Sequence, residues 1–113
     1  MNSCLFCKII GKEIPSTPIY EDENCYAFND INPQAPIHIL IVPKKHIDKI
    51  ENLKQEEAPL IGELILVAKK IAQEKNLTKG YRLVFNDGVE GQQSVDHIHL
   101  HLLGGKQMKW PPC

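Results

Sequence analysis

Apolar and polar residues alternate strictly toward the C-terminal end of the chain, where "SVDHIHLHLLGG" sets Ile98, Leu100 and Leu102 between His97, His99 and His101. A period of two belongs to a β-strand: successive side chains point to opposite faces, so the histidines share one face and the aliphatics the other. At about 3.3 Å of rise per residue, neighbouring histidines stand roughly 6.6 Å apart on that face. "HILIVP", His38 to Pro43, is almost continuously apolar, as in a strand covered on much of its surface. "PIYEDENCYAFND" predicts two short strands joined at Asp22-Glu23-Asn24, and "YRLVFN" predicts another, followed by the loop "DGVEGQQS". From Glu56 to about Asn76 the period becomes helical. Leu60, Leu64, Val67 and Ile71 with Ile61, Ile65, Ala68 and Ala72 trace an apolar stripe; Pro59 fits the first turn and Gly80 lies beyond the end. "SCLFCKII" predicts a short helix with Ser3 as its N-cap. The predicted order is a short helix, a β-meander, a long helix and a β-hairpin: an α+β fold with one antiparallel sheet and helices packed on it.

A length of 113 residues, 42% hydrophobic and 24% charged, fits one soluble globular domain spanning residues 1–113. The net charge is −1 with dispersed Lys and Arg, which argues against a nucleic-acid polymer as partner and leaves small anions open. Lys8 precedes any long apolar run, so the N-terminus reads as neither a signal peptide nor a membrane anchor, and the cytoplasm is expected. There Cys4, Cys7, Cys25 and Cys113 should be thiols or metal ligands rather than disulfide partners.

Three of the five histidines sit in one stretch, and a solvated strand face would sooner carry Thr, Lys or Glu. An imidazole attacks phosphorus well when one nitrogen is unprotonated and an acceptor holds the other. His99, central in the trio, is the best placed nucleophile. His101 and Ser94 flank it and can hold phosphate oxygens or deliver a proton to a leaving group. The loop before them carries Gly88 and Gly91; it can turn backbone N–H groups toward an anion or serve as a plain hairpin loop. Cys4 and Cys7 have C-x2-C spacing, the bite of a zinc site that needs two more ligands, and His46 and His97 are the available ones. Such a Cys2His2 set is closed, hence structural. A thioredoxin-like redox role would need a βαβ setting, which the chain lacks. Three histidines could also ligate a catalytic metal in a β-barrel, but the long helix and the want of a carboxylate on a neighbouring strand oppose it.

"HIHLHLL" resembles the H-x-H-x-H-x-x pattern of the histidine triad superfamily. "FCKIIGKEIPSTPIYED", "AFNDINPQAPIHILIVPKKHI", "GYRLVFNDG" and "GGKQMKWPPC" are similar to its nucleotide-binding branch, whose members hydrolyse purine nucleoside phosphoramidates. That resemblance implies two protomers joining their sheets, with His99 as the nucleophile, His97 and His101 as its triad partners and His38 as a fourth, supporting histidine. It assigns Asn86 and Ser94 to the phosphate or leaving group, and Asp30 to the ribose hydroxyls. Phe6, Ile14, Phe28 and Ile31 become apolar walls of the purine slot, with Phe6 and Phe28 able to sandwich the base. Zinc is implied on Cys4, Cys7, His46 and His97, and Trp110 is expected near the active site of the partner in a homodimer. Gln92 stands where glycine is usual and Asn29 where a histidine is often found, so the loop path and ribose contacts are expected to differ in detail. Dinucleoside polyphosphate hydrolysis and a nucleotide-sensing or scaffold role are the competing functions.

Overall fold

The computed structural model describes residues 3–113. Helix α1 (Leu5–Ile10) leads into strands β1 (Tyr20–Glu21), β2 (Cys25–Asn29) and β3 (Ile37–Pro43). Two short 3-10 turns precede helix α2 (Ala58–Glu74), and strands β4 (Arg82–Phe85) and β5 (Leu100–Gly104) complete the chain. The five strands form one antiparallel sheet in the order β1-β2-β3-β5-β4. The predicted α+β architecture is therefore present, with the histidine strand beside the apolar strand at the centre of the sheet. No helix among the described residues is long and apolar enough to cross a membrane.

The period of two in β2, β3 and β5 divides the core in two. Ala27, Ile39, Ile41, Leu100 and Leu102 face α2 and meet Leu64, Val67, Ala68, Ile71 and Ala72. Burying a large aliphatic side chain contributes about 1.5–3 kcal/mol, so this contact is the main anchor of the helix. Tyr26, Phe28, Leu40 and Val42 face the other way and are covered by Phe6 and Ile9 of α1. Leu40 pairs with His101 across the ladder, so the histidines lie on this second face. The sheet thus separates a purely apolar layer from one in which apolar and imidazole side chains mix.

Three local expectations are corrected. The N-cap of α1 is Cys4, not Ser3, because the Cys4 sulfur accepts the Cys7 N–H at 3.4 Å. Ile65, placed in the helical stripe, is 43% exposed: α2 touches the sheet along one narrow line, and Ile65 falls off its side. The strand expected to start at His97 joins the ladder only at Leu100. Residues 97–99 leave the sheet because Ile98 N–H turns to Ile47 O at 2.8 Å, while the Pro43 carbonyl takes a histidine side chain.

Candidate active site and metal centre

Four histidines line the second face of the sheet, and each ring is oriented by a defined partner. His99 is 3% exposed, and its Nδ1 lies 2.8 Å from the carbonyl oxygen of His97. A carbonyl only accepts, so Nδ1 carries the proton and Nε2 keeps its lone pair. Phe6 meets the His99 ring edge-on at 5.1 Å, and His101 follows at 5.0 Å. Burial is the main cause that holds His99 below the ordinary histidine range. A neutral imidazole with a fixed lone pair is a nucleophile that needs no base.

His38 and His101 form the next pair, with His38 Nε2 2.9 Å from His101 Nδ1. The other nitrogen of His38 accepts the Gln34 main-chain N–H at 3.0 Å. Asp30 stands beside them, with Oδ2 3.4 Å from His38 Nε2 and Oδ1 accepting the Asn32 N–H. Burial, then the neighbouring His99 and His38, pushes His101 down to about 4 from the usual 6.5. This depression carries a sign. Rings kept neutral in the fold take up protons sooner in the unfolded chain, so stability falls with acidification from about 6.5 and stops falling on account of His101 near 4. Melting temperature measured against pH should decline more steeply for the native chain than for His101→Asn across that window. Parallel slopes would contradict the burial argument.

Cys4, Cys7, His46 and His97 converge at the junction of α1, the end of β3 and the approach to β5, with all four ligand atoms within 4.8 Å of one another. Cys4 Sγ and Cys7 Sγ lie 3.3 and 3.6 Å from His97 Nδ1; Cys7 Sγ lies 3.3 Å from His46 Nδ1, and the two Nδ1 atoms are 3.1 Å apart. A tetrahedral zinc ion with Zn–S near 2.3 Å and Zn–N near 2.05 Å needs ligands separated by roughly 3.3–3.8 Å. The tautomer also suits a metal: His97 Nε2–H donates to the Pro43 carbonyl at 2.8 Å, which leaves Nδ1 unprotonated and fixed in aim. Two sulfurs and two imidazole nitrogens in this arrangement fit zinc and leave no open position. Asp30, His38 and His101 have ligand atoms equally close together, but His38 cannot ligate. Its Nδ1 faces an N–H donor, so Nε2 must keep its proton. The two clusters are alike in spacing and opposite in chemistry.

The remaining candidates are placed less uniformly. Phe6, Ile14 and Phe28 come together in the second core, whereas Ile31 is wholly exposed and outside it. Phe6 and Phe28 contact each other edge-on at 5.6 Å and 67°, so they form one packed wall and do not sandwich a base. Asn86 Nδ2 donates to the Gly91 carbonyl at 2.7 Å, tying the loop shut, and Ser94 is exposed at its end. Three of the loop's amides are already used internally and are not turned toward an anion. Gly88, Gln92 and Gln93 N–H groups all bond within it, to Gln93 Oε1, Val89 O and Gly88 O. Gln92 has φ of 62°, the left-handed region that favours glycine, so its side chain is accommodated on a glycine-like path. Asn29 is exposed at the end of β2. Sequence reasoning missed Gln93, whose amide reaches Asp48 O at 2.6 Å and Val95 O at 3.0 Å and braces the approach to the histidines. Nothing in its local pattern marked it. Cys25, at the back of the sheet, is pushed up to about 12 by burial and offers no reactive thiolate.

Residues 3–110 match the family model for the C-terminal binding region of the scavenger mRNA decapping enzyme. A maize protein named "14 kDa zinc-binding protein" is 54% identical over 110 residues, covering 96% of this chain and 86% of that one. The crystal structure of a HIT family hydrolase from Legionella pneumophila Philadelphia 1 is 54% identical, with a TM-score of 0.95 over 98% of this chain and 100% of that one. The chain belongs to the histidine triad family. A histidine triad nucleotide-binding protein from Candida albicans is also similar, 36% identical with a TM-score of 0.81, covering 96% of this chain and 83% of that one. The alternating run His97, His99 and His101 of this chain is thus carried on the fold shared with these structures and joined at His97 to a Cys2His2 cluster suited to zinc.

Proposed function

We propose that this histidine triad protein hydrolyses purine nucleoside phosphoramidates through a nucleotide covalently attached to His99. The observation that carries the reading is the 2.8 Å bond from His99 Nδ1–H to the His97 carbonyl, which leaves Nε2 as a buried, oriented lone pair. In the first step Nε2 attacks the phosphorus, a P–N bond to His99 forms, the P–N bond to the leaving group breaks, and the amine departs with a proton. His101, 5.0 Å from the His99 ring, and Ser94, at the end of the preceding loop, are assigned to donate to a phosphoryl oxygen or to the leaving nitrogen. In the second step water attacks the phosphorus, the bond to His99 breaks, and a nucleoside monophosphate leaves with the imidazole restored. Asp30 accepts from the ribose hydroxyls, Asn86 lies by the phosphate, and Phe6, Ile14, Phe28 and Ile31 supply the apolar side of the base site. Zinc on Cys4, Cys7, His46 and His97 is closed to substrate and supplies only structure. Turnover of adenosine 5′-phosphoramidate measured against a dinucleoside polyphosphate tests the assignment. Faster P–N cleavage supports it; a preference for the polyphosphate moves the chain to the other hydrolase class of the superfamily.

The leaving-group side is completed by a second protomer. Trp110 is 79% exposed on its own chain, a costly state for so large an apolar ring unless another surface covers it. Arg82 holds the segment ready, donating to Lys109 O at 2.8 Å and lying 5.9 Å from the Trp110 ring. In a homodimer that ring lines the partner's pocket and selects among amines. Deleting residues 109–113 should change the relative rates on phosphoramidates with different amines while the simplest is still cleaved. Equal losses on every substrate, or a monomer of unaltered selectivity, would refute it.

A further inference from the structure

The His38–His101 pair poses a question of proton placement that the site's geometry answers from an unexpected direction. Two imidazole nitrogens 2.9 Å apart share one proton, which belongs to either ring. If it sits on His38 Nε2, His101 accepts at Nδ1 and exposes an N–H at Nε2. If it sits on His101 Nδ1, His101 exposes a lone pair instead. Only the first arrangement suits a site in which His99, 5.0 Å away, already presents a lone pair. Two lone pairs would repel the phosphoryl oxygens that one N–H can hold.

The choice is made four residues before His38. The Gln34 main-chain N–H points at His38 Nδ1 from 3.0 Å, and an amide N–H cannot accept. Placing a proton on His38 Nδ1 would therefore set two donors against each other next to a ring only 6% exposed. The turn that aims this amide is itself tied: Asp30 Oδ1 accepts the Asn32 N–H at 2.9 Å, and Gln34 Nε2 donates to Asn32 O at 3.0 Å. We infer that the main-chain N–H of Gln34 is a positioning group that sets the tautomer of His38 and, through it, presents His101 as an N–H donor beside the lone pair of His99. His99 and His101 are thereby held in opposite tautomers by two different backbone groups, the His97 carbonyl and the Gln34 amide. The tautomers rest on the structure alone; the use of the His101 N–H toward phosphate rests on the proposed function.

Long-range proton–nitrogen NMR correlations on the zinc-loaded, full-length protein near neutral pH read each tautomer directly. The expected pattern is Nε2–H on His38 and His101, and Nδ1–H on His99. Gln34→Pro removes the N–H at an exposed position, and Gln34→Ala keeps it. The proline variant should show mixed tautomers at His38 and His101 with His99 unchanged; the alanine variant loses the Gln34 Nε2 bond to Asn32 O but keeps the amide and the Asp30–Asn32 tie, and should show the native pattern. On a phosphoramidate, kcat of the proline variant should fall roughly tenfold with KM little changed, the effect of one misdirected hydrogen bond. A proton on His38 Nδ1 in the native protein, or native tautomers in a folded proline variant, would overturn the inference. Should the proline variant fail to fold, the native spectrum decides alone. None of these spectra requires a substrate, so failure of the substrate assignment would be seen separately.

Discussion

Replacing His99 with alanine should abolish turnover, with kcat lower by about 10⁴–10⁶-fold, while the nucleotide still binds. The size of the effect follows from the mechanism. A covalent intermediate needs its nucleophile, and among the described residues the other histidines of this face are engaged elsewhere: His38 and His101 pair with each other, and His97 turns its Nδ1 to the cysteines. Binding should survive because the proposed contacts come from outside β5: Asp30 just after β2, Ile14 in the loop after α1, and Phe28 on β2. Single-turnover chemical quench of the native enzyme should trap a nucleotide on His99, and calorimetry should give the variant a dissociation constant within a few-fold of native. His99 also packs on Phe6 at 5.1 Å, so His99→Asn and a melting curve are needed to separate chemistry from a collapsed pocket. Near-normal turnover in either variant would remove His99 from the mechanism.

The parts of this protein that follow from local pattern were readable, and those that depend on distant groups meeting were not. Periodicity located α2 and all five strands because each buries a face whose residues recur at fixed spacing. It could not place the start of β5, since that depends on Ile98 finding a carbonyl at Ile47, 51 positions earlier. The histidine run pointed to chemistry by its density alone. Which nitrogen of each ring is free was beyond reach, because tautomers are set by Pro43 O, His97 O and Gln34 N–H, main-chain groups with no signature in residue type. The C-x2-C spacing pointed to His46 and His97 as the missing ligands and the resemblance implied the same set; the structure brings Cys4 and His97, 93 residues apart, to 3.3 Å. The resemblance did not supply the edge-on contact of Phe6 with Phe28, which turns an expected slot into a wall. Cys4 illustrates the limit from the other side. Serine is the stronger N-cap by propensity, yet Cys4 takes that position because its sulfur is already held near the Cys7 amide by the cluster.

The double substitution Cys4→Ser with Cys7→Ser should lower the melting temperature by more than about 10 °C and reduce bound zinc from about one per chain to none. Helix α1 has only six residues, too few to be helical in isolation. It stays on the sheet through Phe6 and Ile9 and through its two sulfurs. Losing the ligands frees the helix and uncovers those apolar residues; each kcal/mol lost shifts the melting point of a domain this size by about 4–8 °C. Serine at position 4 can still cap the helix, so the drop reports the ligands and not the cap. Chemistry should suffer less than in His99→Ala but measurably. The His97 side chain belongs to the cluster while its carbonyl orients His99, and Phe6 of the freed helix buttresses the same ring. Metal analysis, melting curves and hydrogen exchange at residues 5–10 on one preparation decide the matter. A metal-free double variant as stable as the native chain would show that packing alone holds α1, and the cluster would lose its structural role.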